Sequence, residues 1–317
     1  MGCQEELLVE KVCDIYDKIL KLENLKPSMH VNTLFTQLVL TCMPSCPIDI
    51  SKLTKRVQEI RSKLITLCGE AEGLLESHYS VLIGSYDNPI NHLSLFPYYS
   101  NYLKLSHLEF TMLTKHCTQV PNQVAFIGSG PLPLTSIVLA SNHLKTTTFH
   151  NYDLDPLANS KGLHLVSSHP DLSNRMFFHT ADIMEVTNSL KNYEVVFLAA
   201  LVGMSKEQKA RVIDHLAKHM SPGAFLVLRS AHGARAFLYP VIDPFDLQYF
   251  EVLSVFHPTD EVINSVVIAR KHPTPIHSSN SGPASIILPR KCSEIQGFSL
   301  FNHTNEIEDL AIDEKLS

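Results

Sequence analysis

Val124-Ala-Phe-Ile-Gly-Ser-Gly-Pro-Leu-Pro-Leu-Thr-Ser-Ile-Val-Leu-Ala140 decides the reading of this chain. A buried-strand signal, 124–127, runs into Gly128-Ser129-Gly130 and then into an apolar helical stretch. Glycines at such a point let the backbone turn sharply and approach a ligand. The start of the next helix offers unpaired N–H groups to polar atoms. Some way downstream, Asn151-Tyr-Asp-Leu-Asp155 supplies acids at a second strand end. The pair predicts a nucleotide or nucleoside site, with a carboxylate on the ribose hydroxyls. Pro133 stands where a dinucleotide fingerprint has its third glycine, so the cradle for a pyrophosphate is poor. S-adenosylmethionine, which has no phosphate, is favoured over NAD.

Working outward, short apolar runs recur at 146–152, 176–179, 194–199, 224–229, 250–256 and 263–270, mostly with helical stretches between. This alternation predicts a doubly wound α/β sheet. The last two runs are too close for a crossover and predict an antiparallel edge hairpin around Pro258-Thr-Asp-Glu261. Seven strands ending this way describe a Rossmann-like sheet of the class I methyltransferase type. Before residue 120 the period is helical. Leu8, Val12, Ile15, Ile19 and Leu22 form a stripe that Pro27 ends. Asn32 is a candidate cap for a second helix ending before Pro44. Leu53, Val57, Ile60, Leu64 and Leu67 begin a long helix, and another starts near Pro97. The predicted organisation is a helical domain over 1–119, a Rossmann-like domain over 120–271, and a Pro/Ser-rich, then acidic, disordered tail over 272–317.

A net charge of −6 argues against a nucleic-acid surface. No run is apolar enough to insert into a membrane, and no secretory signal is visible. The 7 cysteines are scattered without a Cys-x-x-Cys motif, which suits reduced thiols in the cytoplasm. His215 and His219 have metal-ligand spacing but lack further ligands, so no metal site is expected. Homo-oligomer formation is left open.

The candidate site residues follow from the strand ends. Asp153 or Asp155 holds the ribose, the other option for Asp155 being a helix cap. Asp182 faces the adenine or is a surface loop acid. Leu198-Ala-Ala-Leu-Val-Gly203 is an adenine-covering wall or plain core. Arg229 and Arg235, after the fifth strand, hold a substrate carboxylate or pair with nearby surface acids. In the helical part, Tyr98, Tyr99 and Tyr102 orient a substrate or pack the core. Glu70, Glu72 and Glu76 are placed near a helix end, where negative charge opposes the dipole.

Four stretches together resemble the plant nicotianamine synthase family. They are Leu93-Ser-Leu-Phe-Pro-Tyr-Tyr-Ser-Asn-Tyr102, Phe126-Ile-Gly-Ser-Gly-Pro-Leu-Pro-Leu-Thr-Ser136, Asn151-Tyr-Asp-Leu-Asp-Pro156, and Arg229-Ser-Ala-His-Gly-Ala-Arg-Ala-Phe-Leu-Tyr-Pro240. The resemblance covers about 5–270 and implies what no spacing here reveals. Three S-adenosylmethionine molecules would condense into nicotianamine, with three methylthioadenosines released. The moving group would be the 3-amino-3-carboxypropyl arm, and one transfer would close an azetidine ring. The product would serve metal chelation and iron homeostasis. The resemblance also implies a glutamate and a tyrosine from the helical domain beside the reacting amine. Glu76 and Tyr102 are the matching positions by helix placement. On the same fold, a small-molecule methyltransferase and a non-catalytic S-adenosylmethionine-binding protein are the competing readings.

Overall fold

The computed structural model describes residues 3–44 and 48–272. Four long helices precede the sheet: α1 (Cys3–Ile19), α2 (Met29–Cys42), α3 (Lys55–Gly84) and α4 (Tyr99–Thr114). The stripe of α1 is buried at Val12, Ile15 and Ile19 against Leu34 and Leu38 of α2 and Ile60 and Leu64 of α3. Glu5 and Glu6 in its first turn and Lys18 in its last complement the helix dipole. The cap of α2 is Ser28, whose Oγ accepts from the Val31 N–H at 3.3 Å. Asn32, the candidate from sequence, instead lies inside the first turn, its N–H bonded to the Ser28 carbonyl. Thr54 caps α3.

No break interrupts α3 before Gly84. Glu70, Glu72 and Glu76 therefore sit in the body of the helix, not at its end, and the dipole argument for them falls away. Burial separates them instead: Glu70 is exposed, Glu72 is half-buried and Glu76 is buried.

The sheet comprises β1 (Gln123–Ile127), β2 (Thr148–Asp153), β3 (Met176–Thr180), β4 (Val195–Leu198), β5 (Phe225–Ser230), β6 (Phe250–Phe256) and β7 (Ser265–Lys271). Its order is β3-β2-β1-β4-β5-β7-β6. The first five strands pair in parallel, while β7 runs antiparallel to both β5 and β6. The expected edge hairpin is present, with a longer connection than the sequence suggested. Val262 and Ile263 belong to this connection and pack into the core. There the Ile263 N–H reaches Asn101 Oδ1 of α4 at 3.2 Å.

Helices α5 (Leu134–Val138), α6 (Pro156–Ser167), α7 (Leu172–Arg175) and α8 (Lys206–His219) complete the layers. One apolar layer joins Leu105, Met112 and Leu113 of α4 to Phe126, Ile137, Phe149 and Phe197. The opposite layer joins Val212, Ile213 and Leu216 of α8 to Ala125, Val196 and Leu226. A capping box between Ser205 and Gln208 starts α8. Only a short 3-10 turn, Asn188–Asn192, lies between β3 and β4. The strand order reverses between β1 and β4, so the carboxyl end of β1 is the topological switch point where open α/β sheets bind ligands.

The described residues fall in one compact unit. The expected tail, apart from His272, lies outside them.

Candidate active site

Gly128 and Gly130 follow β1 with φ of 78° and 66°, a left-handed conformation that favours glycine. The N–H groups of Gly128 and Ser129 donate to the Tyr152 carbonyl at 2.8 and 3.2 Å. The Gly130 N–H donates to Asp153 Oδ2 at 2.8 Å. The Asp155 N–H donates to Asp153 Oδ1 at 3.0 Å. Asp153 is thus oriented from both sides, at the end of β2 and against the glycine turn. Each carboxylate oxygen keeps acceptor capacity for a hydroxyl. Asp155 is exposed and takes the cap option, its Oδ1 accepting from the Leu157 N–H at 2.8 Å. Asp182 is exposed in the loop after β3, where its Oδ1 accepts from the Met184 N–H at 2.9 Å.

The wall 198–203 crosses the glycine turn. A Cβ on Gly128 would lie 2.3 Å from Val202 Cγ2 and 3.2 Å from Ala199 Cβ. From the other side comes α3: a Cβ on Gly130 would lie 2.8 Å from Glu76 Oε2. A carboxylate from the helical part therefore stands directly over the nucleoside-type turn of the sheet.

Glu76 has company. One helical turn separates it from Glu72, so both project from the same face of α3. The Tyr102 hydroxyl, from α4, lies 3.0 Å from Glu76 Oε1 and 3.4 Å from Glu72 Oε1. It carries one proton to donate between them. The Tyr239 hydroxyl donates to Glu72 Oε2 at 2.9 Å. Burial, then the Glu72 and Asp153 charges, hold the Glu76 carboxyl well above the usual carboxylate range. Burial raises Glu72 as well. Burial and the two glutamates push the Tyr102 phenol well above its ordinary value. Burial thus weakens both carboxyls as acids, offset in part by the Arg229 charge, and a further cation entering the cluster would favour their ionised forms.

Arg229, at the end of β5, is not an open clamp for a substrate. Its Nε and Nη2 bond the two oxygens of Glu109 at 2.7 and 3.1 Å, and Nη2 also reaches Thr135 Oγ1 at 2.6 Å. Its guanidinium lies over the rings of Tyr102 and Phe126, 5.9 and 5.6 Å from their centroids. It is paired, as one option held, but in the core and not on the surface. Arg235 bonds the carbonyls of Pro258 and Asp260 and so straps the loop between β6 and β7. Each guanidinium bonds protein groups, although Arg235 Nε is buried without a partner, so neither side chain is presented free to a substrate carboxylate.

Glu109, fully buried on α4, was not singled out from the sequence. Its signal was available: it lies on the stripe of Leu105, Met112 and Leu113, and a charge there needs a buried partner. Tyr239 lies in a stretch that carries the family resemblance, but nothing local marks it as a partner of Glu72. No cluster of three or more potential metal ligands occurs among the described residues.

Comparison with known proteins places the chain by family and by fold. The family described as "Nicotianamine synthase protein" matches residues 2–276. A nicotianamine synthase of Solanum lycopersicum is 63% identical over 309 residues, covering 97% of this chain and 98% of the relative. Nicotianamine synthase 3 of Arabidopsis thaliana is 64% identical over 298 residues, 93% of each chain. Among solved structures, MtNAS in complex with MTA and tNA superposes with a TM-score of 0.70 at 20% identity, over 83% of this chain and 98% of that one, a likeness of fold. By sequence over nearly its whole length, the chain belongs to the nicotianamine synthase family.

Proposed function

We propose that this chain, a transferase that makes nicotianamine from S-adenosylmethionine, works by three successive 3-amino-3-carboxypropyl transfers at one composite site. In each, the lone pair of an amine nitrogen forms a bond to the γ-carbon of the arm. The C–S bond breaks with its electrons going to sulfur, and neutral methylthioadenosine leaves. One of the three is intramolecular and closes the azetidine ring. The sulfonium is a good leaving group by itself, so the protein's task is alignment and proton management.

Gly128, Ser129 and Gly130 form the turn under the nucleoside, and Asp153 accepts from the ribose hydroxyls. Asp155 supports Asp153 as a cap, and Asp182 stands on the adenine side. Glu76 takes the proton that the attacking nitrogen must lose, while Tyr102 orients that nitrogen. An α-amine has an ordinary pKa of ~7.7–8. A carboxyl raised by burial is a stronger base than an ordinary one, which favours the transfer. The approach of Glu76 Oε2 to Gly130 is the observation that carries this reading, since it puts the base where the nucleoside's arm would lie. Cys13, Cys42, Cys68 and Cys117 are free thiols, which suits a cytoplasmic setting. No described helix is long and apolar enough to cross a membrane.

The test is product analysis by mass spectrometry, with purified protein and S-adenosylmethionine as the only substrate. Nicotianamine with three equivalents of methylthioadenosine is expected. S-adenosylhomocysteine in its place would mean methyl transfer and overturn the proposal.

A further inference from the structure

Lys209 has no role in the chemistry above, yet its environment is unusual. It lies in the first turn of α8 and is 1% exposed, among the largest fully buried side chains of the molecule. A cation at a helix N-terminus opposes the dipole, and a buried ammonium is costly unless paired. No carboxylate among the described residues pairs with it. Its Nζ donates instead to two consecutive carbonyls, Ala200 at 2.8 Å and Ala199 at 3.3 Å. Burial alone pushes its pKa down to about 7.

Those two carbonyls begin the loop 199–204, which has four further fixed points. The Ala199 N–H bonds the Ile127 carbonyl at 3.1 Å. Val202 lies against Gly128, where a Cβ would come within 2.3 Å of it. Met204 and Leu201 lie against Gly69 of α3, 3.3 and 3.5 Å from the position a Cβ would take there. Gly203, at φ 73°, turns the chain so closely over α8 that a Cβ would meet the Lys209 backbone at 2.8 Å. The loop is therefore wedged between the glycine turn and the helix that carries Glu72 and Glu76, and Lys209 holds it from beneath.

We propose that Lys209 is a positioning residue: by fastening the Ala199 and Ala200 carbonyls it sets the loop 199–204 against the glycine turn, and so governs how tightly the nucleoside of S-adenosylmethionine and of methylthioadenosine is held. The inference rests on the nucleoside site proposed above. It assigns Lys209 to binding and release, which the reaction repeats for every arm transferred, and not to proton transfer at the amine.

Lys209→Met keeps the chain length and removes the donor, and Lys209→Gln restores one. Methylthioadenosine affinity is measured by calorimetry, which needs no turnover, and KM and kcat for S-adenosylmethionine on the same proteins. In Lys209→Met, methylthioadenosine affinity is expected to weaken about tenfold, the scale of one charge-assisted hydrogen bond. KM should rise in parallel, with kcat kept within about threefold, since uniform binding is lost and the chemical step is not. Lys209→Gln should recover part of the affinity. Unchanged methylthioadenosine affinity in Lys209→Met, or a loss of kcat at constant KM, would overturn the inference. Should Lys209→Met not fold, amide exchange of 199–204 in the unaltered chain decides. Protection must rise when methylthioadenosine binds, and no change would equally overturn it. Failure of the unaltered chain to bind methylthioadenosine at all would sink the nucleoside site itself, and is told apart by that control.

Discussion

The glycine turn and the carboxylate–tyrosine cluster face one another but are built on opposite plans. The turn is made of backbone groups and one carboxylate, drawn from a single β-α-β run, and Asp153 is held there by two N–H donors. The cluster is made of side chains from α3, α4 and the segment after β5, where Glu72 and Glu76 share the Tyr102 hydroxyl in a buried setting. A backbone site binds without any change of charge. A buried pair of carboxyls resists ionisation and so responds when a cation arrives. On this contrast rests the proposal that the first region binds and the second transfers protons.

The largest expected effect concerns the joint between them. Arg229 reaches from β5 to Glu109 of α4 and Thr135 of α5, beneath the Tyr102 ring. Glu109→Ala leaves that guanidinium buried and unpaired, and should cost about 3–5 kcal/mol in urea denaturation. The double variant Glu109→Ala/Arg229→Met should recover much of it. A loss below ~1 kcal/mol in the single variant would mean that the two regions are joined by something else.

Asp153→Ala breaks the comparison from the binding side. S-adenosylmethionine affinity should fall by ~1–3 kcal/mol, as when a charged acceptor leaves a hydroxyl unpaired. An unaltered calorimetric affinity would move the ribose contact to Asp155. Tyr102→Phe sharpens it from the chemical side. Turnover should drop by about tenfold or less, the scale of a single hydrogen bond, with affinity retained. A parallel loss of affinity would place Tyr102 in the binding region.

The smallest effect is one of pH. The Glu76 carboxyl is raised in the folded chain above its unfolded value. The folded state therefore binds more protons as pH rises above the unfolded pKa of about 4.3, and stability falls across that window toward neutrality. Melting temperature followed from acid to neutral pH should decline more steeply in the unaltered chain than in Glu76→Gln. Parallel curves would show that the cluster is not under electrostatic strain.

The two regions also differ in how far the sequence disclosed them. The turn was legible because its parts are neighbours in the chain: Gly128, Gly130 and Asp153 are set by strand ends and turn chemistry. The sheet and its edge hairpin were legible for the same reason, from period and spacing. Glu76 and Tyr102 came from resemblance, because no local pattern tells which glutamate of a long helix turns inward. The dipole argument for Glu70, Glu72 and Glu76 failed because α3 runs on to Gly84. Arg229 was noticed but its partner was not, since Glu109 is distant in sequence and only tertiary packing brings the two together. Asn32 lost the capping position to Ser28, whose extended backbone and bond from the Val31 N–H start the helix earlier.

The division of labour is tested most directly on Glu76→Gln, with S-adenosylmethionine affinity and methylthioadenosine release measured on the same protein. The account predicts affinity close to that of the unaltered chain and turnover lower by ~10²-fold or more, as on loss of a general base. Normal turnover, or binding and turnover lost together, would contradict it.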